Sequence, residues 1–219
     1  IYVFTPDQPL AGGTTYRAKV AAGLTDTTGG LLAEDFIWSF STQPPQVVWV
    51  SPTDEAELVG VDSAVQVTFN MPVDSSAGAA FHLQGNGGTV GGRIAIDGAT
   101  VTFTPSERLA FDALYSARID AGVTSAGGGQ GMRAAYEWSF RTVPLPRIVG
   151  TNPYDGQQDA YPYTSFEIQF NAPINPDTVM PNLVMTPPLS PSLVYTYFNT
   201  WDNTFVLNFG AEPSSDYEV

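Results

Sequence analysis

The chain has 219 residues, 22 of them Asp or Glu against only 8 Lys or Arg, for a formal net charge of −14. One lysine (Lys19) and no basic run exclude a phosphate-binding surface, and no apolar stretch reaches the ~18 residues that would cross a bilayer as a helix. The absence of cysteine excludes disulfides, thiolate metal sites and thiol catalysis, while 43% hydrophobic and 12% aromatic residues are enough for packed cores rather than disorder.

In chain order, Phe4 lies in a short strand ended by Pro6, Leu10 to Tyr16 leads into another, and Phe36 to Phe40 forms an aromatic strand. Thr42-Gln43-Pro44-Pro45 follows as a stiff linker. Val47 to Val50 reads as a short buried strand with Trp49 in the core. Val65, Val67 and Phe69 alternate with polar residues, the period-two pattern of a half-buried strand, and Pro72 stops it. Phe81 and Leu83 flank His82 in the next strand. Ile94 and Ile96 precede an Asp97-Gly98 hairpin signal, and Val101 and Phe103 return from it. Tyr115, Ala117 and Ile119 share one face, as do Tyr136, Trp138 and Phe140. A second linker, Thr142 to Pro146, leads into a third stretch with the same order of signals. No segment shows a helical period. The expected class is all-β, with antiparallel sheets packed as sandwiches.

The chain repeats itself about every 100 residues. Phe36-Ile37-Trp38-Ser39-Phe40 returns as Tyr136-Glu137-Trp138-Ser139-Phe140, and Phe69-Asn70-Met71-Pro72 returns as Phe170-Asn171-Ala172-Pro173. That period is the length of one sandwich, too long for a solenoid unit. The expected division is residues 1–43 as the second half of a module, 44–143 as a complete module and 144–219 as the first part of a third. A half sandwich cannot bury both sheets, so the chain is expected to be a window from a longer protein.

No catalytic, cofactor or metal residues are expected. His82 is the only histidine and reads as the outward residue of a strand, which rules out a His-based triad or a multi-His metal site within the chain. Gly122 to Gly127 is too long for a nucleophile elbow. The runs Gly85 to Gly92 and Gly127 to Gly131 lack the Lys-Ser/Thr of a phosphate loop and read as flexible loops. Asp54, Glu55 and Glu57 after one junction, with Asp155 and Asp159 after the other, would at most bind calcium weakly, since no Asp-x-Asp-x-Asp loop is present. Trp201, beside the turn-like Asp202-Asn203, is the more open candidate for a sugar-stacking platform; Trp49 is expected in the core.

Ser51 to Asp54, Val65 to Asp74, Phe4 to Pro6, Leu10 to Tyr16, Gly23 to Gly29 and Trp38 to Thr42 together resemble the bacterial Ig-like domains of surface-layer proteins. The resemblance covers essentially the whole chain. It implies tandem Ig-like β-sandwiches of about 100 residues in an exported bacterial protein, periplasmic, cell-surface or extracellular. Ala160 to Phe170 with Leu183 to Leu189 resembles the repeats preceding the macroglobulin domains of bacterial alpha-2-macroglobulin-like proteins. That implies a non-catalytic stalk in a protease-inhibitor protein, its partners being neighbouring domains and, through the rest of the parent, proteases. The alternative is a surface-layer or adhesin-type binding module, or an appendage of a secreted enzyme.

Overall fold

Alternation of apolar and polar residues builds the sheets, and its period decides which side chains meet. The computed structural model describes residues 3–161, 165–186 and 194–208. Its residues group into two units, one running to Thr142 and one from Val143 onward.

The first unit begins with β1 (Thr15–Val20) and β2 (Phe36–Ser41), an antiparallel pair with Tyr16 opposite Phe40 and Ala18 opposite Trp38. The complete module follows: β3 (Val47–Ser51), β4 (Ala56–Val59), β5 (Val65–Phe69), the short helix α1 (Ser76–Ala80), β6 (Phe81–Gly85), β7 (Gly88–Thr89), β8 (Gly92–Asp97), β9 (Thr100–Pro105), β10 (Leu114–Ile119) and β11 (Tyr136–Thr142). One sheet has the order β3-β5-β9-β8, the other β4-β11-β10-β6-β7. Every pairing is antiparallel except that of β11 with β4. Val65, Val67, Phe69, Val101 and Phe103 point inward from the first sheet; Phe81, Leu83, Ala117, Ile119, Trp138 and Phe140 answer from the second. Phe81 stacks on Phe103 across the sandwich at 4.9 Å between ring centroids.

The second unit holds β12 (Ile148–Asn152), β13 (Phe166–Phe170), a 3₁₀ turn (Pro176–Thr178) leading into α2 (Val179–Asn182), β14 (Tyr195–Asn199) and β15 (Thr204–Asn208). Its strand order, β12-β13-β15-β14, reproduces β3-β5-β9-β8 about 101 residues later. Phe166, Ile168, Phe205 and Leu207 form its core.

The structure is nearly all β, as the period-two patterns imply, but it corrects several local readings. Only Val50 of β3 is buried, opposite the inward Val67; Trp49 lies opposite Thr68 on the other face, and Val48 sits at the register shift between Val47 and Trp49, so both are exposed. Phe4 lies in no strand and is exposed, whereas its counterpart Phe103 sits in β9. Ser76 to Ala80 turns into a helix too short and too rich in Ala and Ser to leave a periodic signal. The hairpin loop is Gly98-Ala99, one residue later than read, with Gly98 at φ +55° where a side chain is disfavoured. The Gly127 to Gly131 run is no free loop: Gly12 and Gly129 form a parallel bridge. Ser214 to Val219, whose sequence resembles Ala113 to Ala117 and is expected to begin the matching strand, lies outside the described residues.

Trp38 and Trp138 hold the same place in their strands but not the same environment, being 43% and 3% exposed. Residues 3–43 contain no counterpart of β3 to β9 to face Trp38. Trp138 also carries a buried Nε1 without a hydrogen-bond partner among the described residues, a cost of about 1–3 kcal/mol that its packing outweighs. Trp138→Ala should therefore lower unfolding stability by about 3–5 kcal/mol in urea titrations followed by circular dichroism. Trp138→Phe, which also removes the orphaned N–H, should cost less than the alanine change, and Trp38→Ala less than half as much.

Candidate functional site

Outward positions on β6, β10 and β11, with Asp120 just past β10, assemble a polar hollow of about 440 Å³ lined by His82, Gln84, Ser116, Arg118, Asp120 and Glu137. Register explains the cluster: Arg118 lies opposite both His82 and Glu137, and Ser116 opposite Gln84, with core residues alternating between them. Arg118 Nε donates to Asp120 Oδ1 at 2.6 Å, and its Nη1 donates to Glu137 Oε1. His82 Nε2 lies 3.0 Å from Asp120 Oδ2. The Arg118 hydrogen bond, supported by His82, holds the Asp120 carboxyl below its ordinary range, and Asp120 in turn raises the guanidinium's pKa. A carboxylate so satisfied is a poor proton acceptor near neutrality. Among the described residues no hydrogen bond joins the Ser116 hydroxyl to His82, whose Nε2 is turned to Asp120, and the roughly half-exposed ion pairs contribute little to stability. His82 is outward, as expected. Its partner Asp120, and Arg118 and Glu137 that complete the cluster, were not foreseen, since strand spacing gives faces but not cross-strand register.

The other candidates fall apart as a set. Asp54 Oδ1 accepts from the backbone N–H of Ser139 at 2.9 Å and of Glu55 at 3.1 Å, so it pins a turn to β11. Asp155 and Asp159 are exposed. No group of three or more His, Asp or Glu among the described residues is placed to hold a metal ion. Trp49 is 49% exposed, against the expectation of a core position, and Trp201 is 97% exposed in the turn between β14 and β15. Ser125 Oγ donates to the Gly128 carbonyl and has no basic partner.

A third cluster is structural. Asp74 Oδ1 accepts from the Ser76 N–H at 2.9 Å and from the Ser76 hydroxyl, while Oδ2 accepts from the Thr124 hydroxyl. The Asp74 N–H donates to the Thr124 carbonyl, and Val73 bridges Ser125. In the second unit a hollow of about 480 Å³ is lined by Pro146, Ile148, Phe170, Pro173 and Ile174, among others. Of their counterparts in the complete module, Pro45, Phe69 and Val73 are buried, and Pro72 and Val73 meet Ala126 and Ser125. That hollow therefore corresponds to module interior.

The sequence model of the bacterial Ig-like domain matches residues 1–42 and 41–142. The chain belongs to the bacterial Ig-like domain family. No curated protein matches it. Among solved structures, the N-terminal part of the bacterial S-layer protein SbsC is similar at 15% identity, over 80% of this chain and 42% of that one, with a TM-score of 0.34. L,D-transpeptidase 1 from Mycobacterium tuberculosis is similar at 15% identity over 71% and 60% of the two chains, with a TM-score of 0.33. The imipenem complex of the transpeptidase LdtMt1 is similar at 18% identity over 58% and 49%, with a TM-score of 0.35. The chain thus spans about half the length of these transpeptidase chains.

Within the bacterial Ig-like module, Asp74 joins two motifs far apart in sequence. Desolvation pushes its pKa up, but the hydrogen bonds from Ser76 and Thr124 together outweigh this and leave it below the ordinary 3.8. The folded state therefore binds this proton less readily than the unfolded chain. The contribution is complete above the ordinary carboxylate value and is lost as pH falls through the lower folded-state value. Denaturant midpoints measured at a series of pH values should show the gap between wild type and Asp74→Asn narrowing on acidification. A gap independent of pH would show that the charge does not stabilise the fold.

Proposed function

We propose that this chain is a non-catalytic spacer segment of an exported bacterial protein, in which repeated Ig-like modules set the separation of functional parts elsewhere. The supporting observation is what the repeats keep. Tyr16 Oη accepts from the Ala11 N–H at 2.7 Å, and Tyr115 Oη accepts from the Ala110 N–H at 2.8 Å. Thr42 Oγ1 donates to the Ala11 carbonyl, and Thr142 Oγ1 to that of Ala110, each at 2.6 Å. The polar patch is not kept: Arg118, Asp120, Glu137 and His82 correspond to Lys19, Ala21, Ile37 and Val184, the last standing between core-packed Leu183 and Met185 as His82 stands between Phe81 and Leu83. Repetition has preserved corners and interiors, not a surface constellation.

The module boundaries at residues 43/44 and 143/144 are part of this reading, and neighbouring modules of a longer chain are the partners it implies. Export to the periplasm, cell surface or medium fits a bacterial Ig-like chain without cysteine. A macroglobulin-like protease-inhibitor parent is supported only by the resemblance of residues 160–170 and 183–189, parts of which lie outside the described residues.

Exposed Trp201 favours a second reading, a glycan-binding surface module. Pull-down of the chain on purified peptidoglycan and on bacterial polysaccharides separates the two. The spacer reading expects no retention and no change in Trp201→Ala or Trp49→Ala. Saturable binding abolished by either substitution would replace it with the glycan-binding reading.

A further inference from the structure

We propose that the Ala126–Gly131 loop of the complete module is a socket for the Pro9–Gly13 loop of the module before it, and that this seating locks the two into one rigid body. The inference deepens the spacer reading by naming what resists bending at this junction.

The joint is made of backbone. The Gly12 N–H donates to the Gly128 carbonyl at 2.8 Å, and the Gln130 N–H donates to the Gly12 carbonyl at 2.8 Å. Ser125 Oγ, itself turned toward the Gly128 carbonyl, lies 3.3 Å from the Gly12 nitrogen. Backbone can approach backbone this closely only without side chains. A methyl at Gly127 would lie 2.6 Å from the Pro9 carbonyl oxygen and 2.9 Å from that of Leu10, and one at Gly129 would overlap the Gly12 carbonyl. Gly12 is buried against the linker, where a methyl would meet Pro45 at 3.3 Å and Met71 at 3.5 Å.

Both halves are rooted in their own modules. The Ala11 N–H is held by the Tyr16 hydroxyl, and the Gly13 N–H donates to the Gln43 carbonyl. On the other side, the Gly128 N–H donates to the Ser125 carbonyl, the Met132 N–H to that of Val123 and the Ala126 N–H to that of Pro72. A load on one module therefore passes through hydrogen bonds into the other, beyond what the two linker prolines transmit. The counterpart of Gly12 in the complete module is Phe111.

The test measures residual dipolar couplings on the full chain. In the wild type, couplings from β1–β2 and from β3–β11 should fit one alignment tensor; a requirement for two would overturn the inference. Gly127 has no positive φ, so Gly127→Ala disturbs the docking contact without straining its own backbone. It should split the fit into two tensors and speed exchange of the Gly12 and Gln130 amides at least tenfold, with the Val67 and Val101 amides unchanged. A single retained tensor would overturn the inference. Should Gly127→Ala also expose Val67 and Val101, Gly12→Val, which adds bulk from the other loop, decides by the same two readings. Gly87→Ala, where an added methyl meets nothing within 4 Å, should leave every reading unchanged. None of these outcomes bears on glycan retention, so this inference and the spacer reading fail separately.

Discussion

The pairing of β10 with β11 is the constraint on which the complete module depends. Tyr115 lies opposite Phe140 and stacks on it at 5.6 Å; Ala117 lies opposite Trp138 and leaves room for the indole. The small residue beside the large one keeps the ladder regular while the ring enters the core. At the strand's end the buried Thr142 hydroxyl donates to the Ala110 carbonyl and accepts from the Ala113 N–H, tying the last strand to the corner that starts β10. The same geometry recurs in β1 and β2, with Ala18 opposite Trp38 and Tyr16 stacked on Phe40 at 5.6 Å. It recurs although the first Trp is far more exposed, so the hairpin pair and its corner are set by local register and hydrogen bonding. Burial adds stability to a geometry already specified.

That division of labour explains how the loops behave. Glycine-rich and acidic segments would be free chain in most sequences. Here three aspartates satisfy backbone groups: Asp54 accepts from the N–H groups of Glu55 and Ser139, Asp74 from that of Ser76, and Asp26 from those of Thr28 and Gly30. The pKa of Asp26 is lowered chiefly by the Thr28 hydroxyl and then by backbone donors, so the charge is placed where donors converge. Part of the −14 net charge thus serves as an internal set of acceptors rather than a binding surface for a cationic partner.

The strands were legible wherever one face is buried, because alternation then maps directly onto hydrophobicity. β5, β6 and β10 follow it residue by residue. β3 did not, since four consecutive apolar residues give no alternation, and whether such a run is central or at an edge depends on partners far along the chain. α1 has five residues, too few for a helical period to show. The polar patch was illegible for a related reason: His82, Arg118 and Glu137 meet only through the register of three strands. The Gly127 to Gly131 run was read as flexible because composition shows that glycine permits motion; it cannot show that a second backbone fills the space a side chain would take.

The same comparison between repeats separates structural from surface roles one residue at a time. Asp74 has Asn175 as its counterpart, and in both the side-chain Oδ1 accepts from the N–H two residues on, at 2.9 Å from Ser76 and 3.1 Å from Asp177. An amide oxygen makes that turn as well as a carboxylate oxygen does, so the turn explains why a short Asx side chain stands there but not why it is charged. The charge matters only where a second acceptor oxygen is needed, and in the complete module that oxygen takes the Thr124 hydroxyl. Asn offers an NH₂ group in its place, which cannot accept from a hydroxyl in the same geometry. The carboxylate of Asp74 is therefore tied to the crossing of the Val73–Asp74 and Thr124–Ser125 segments. A module keeping Asn at this position must hold that crossing through its backbone bridge and apolar packing instead.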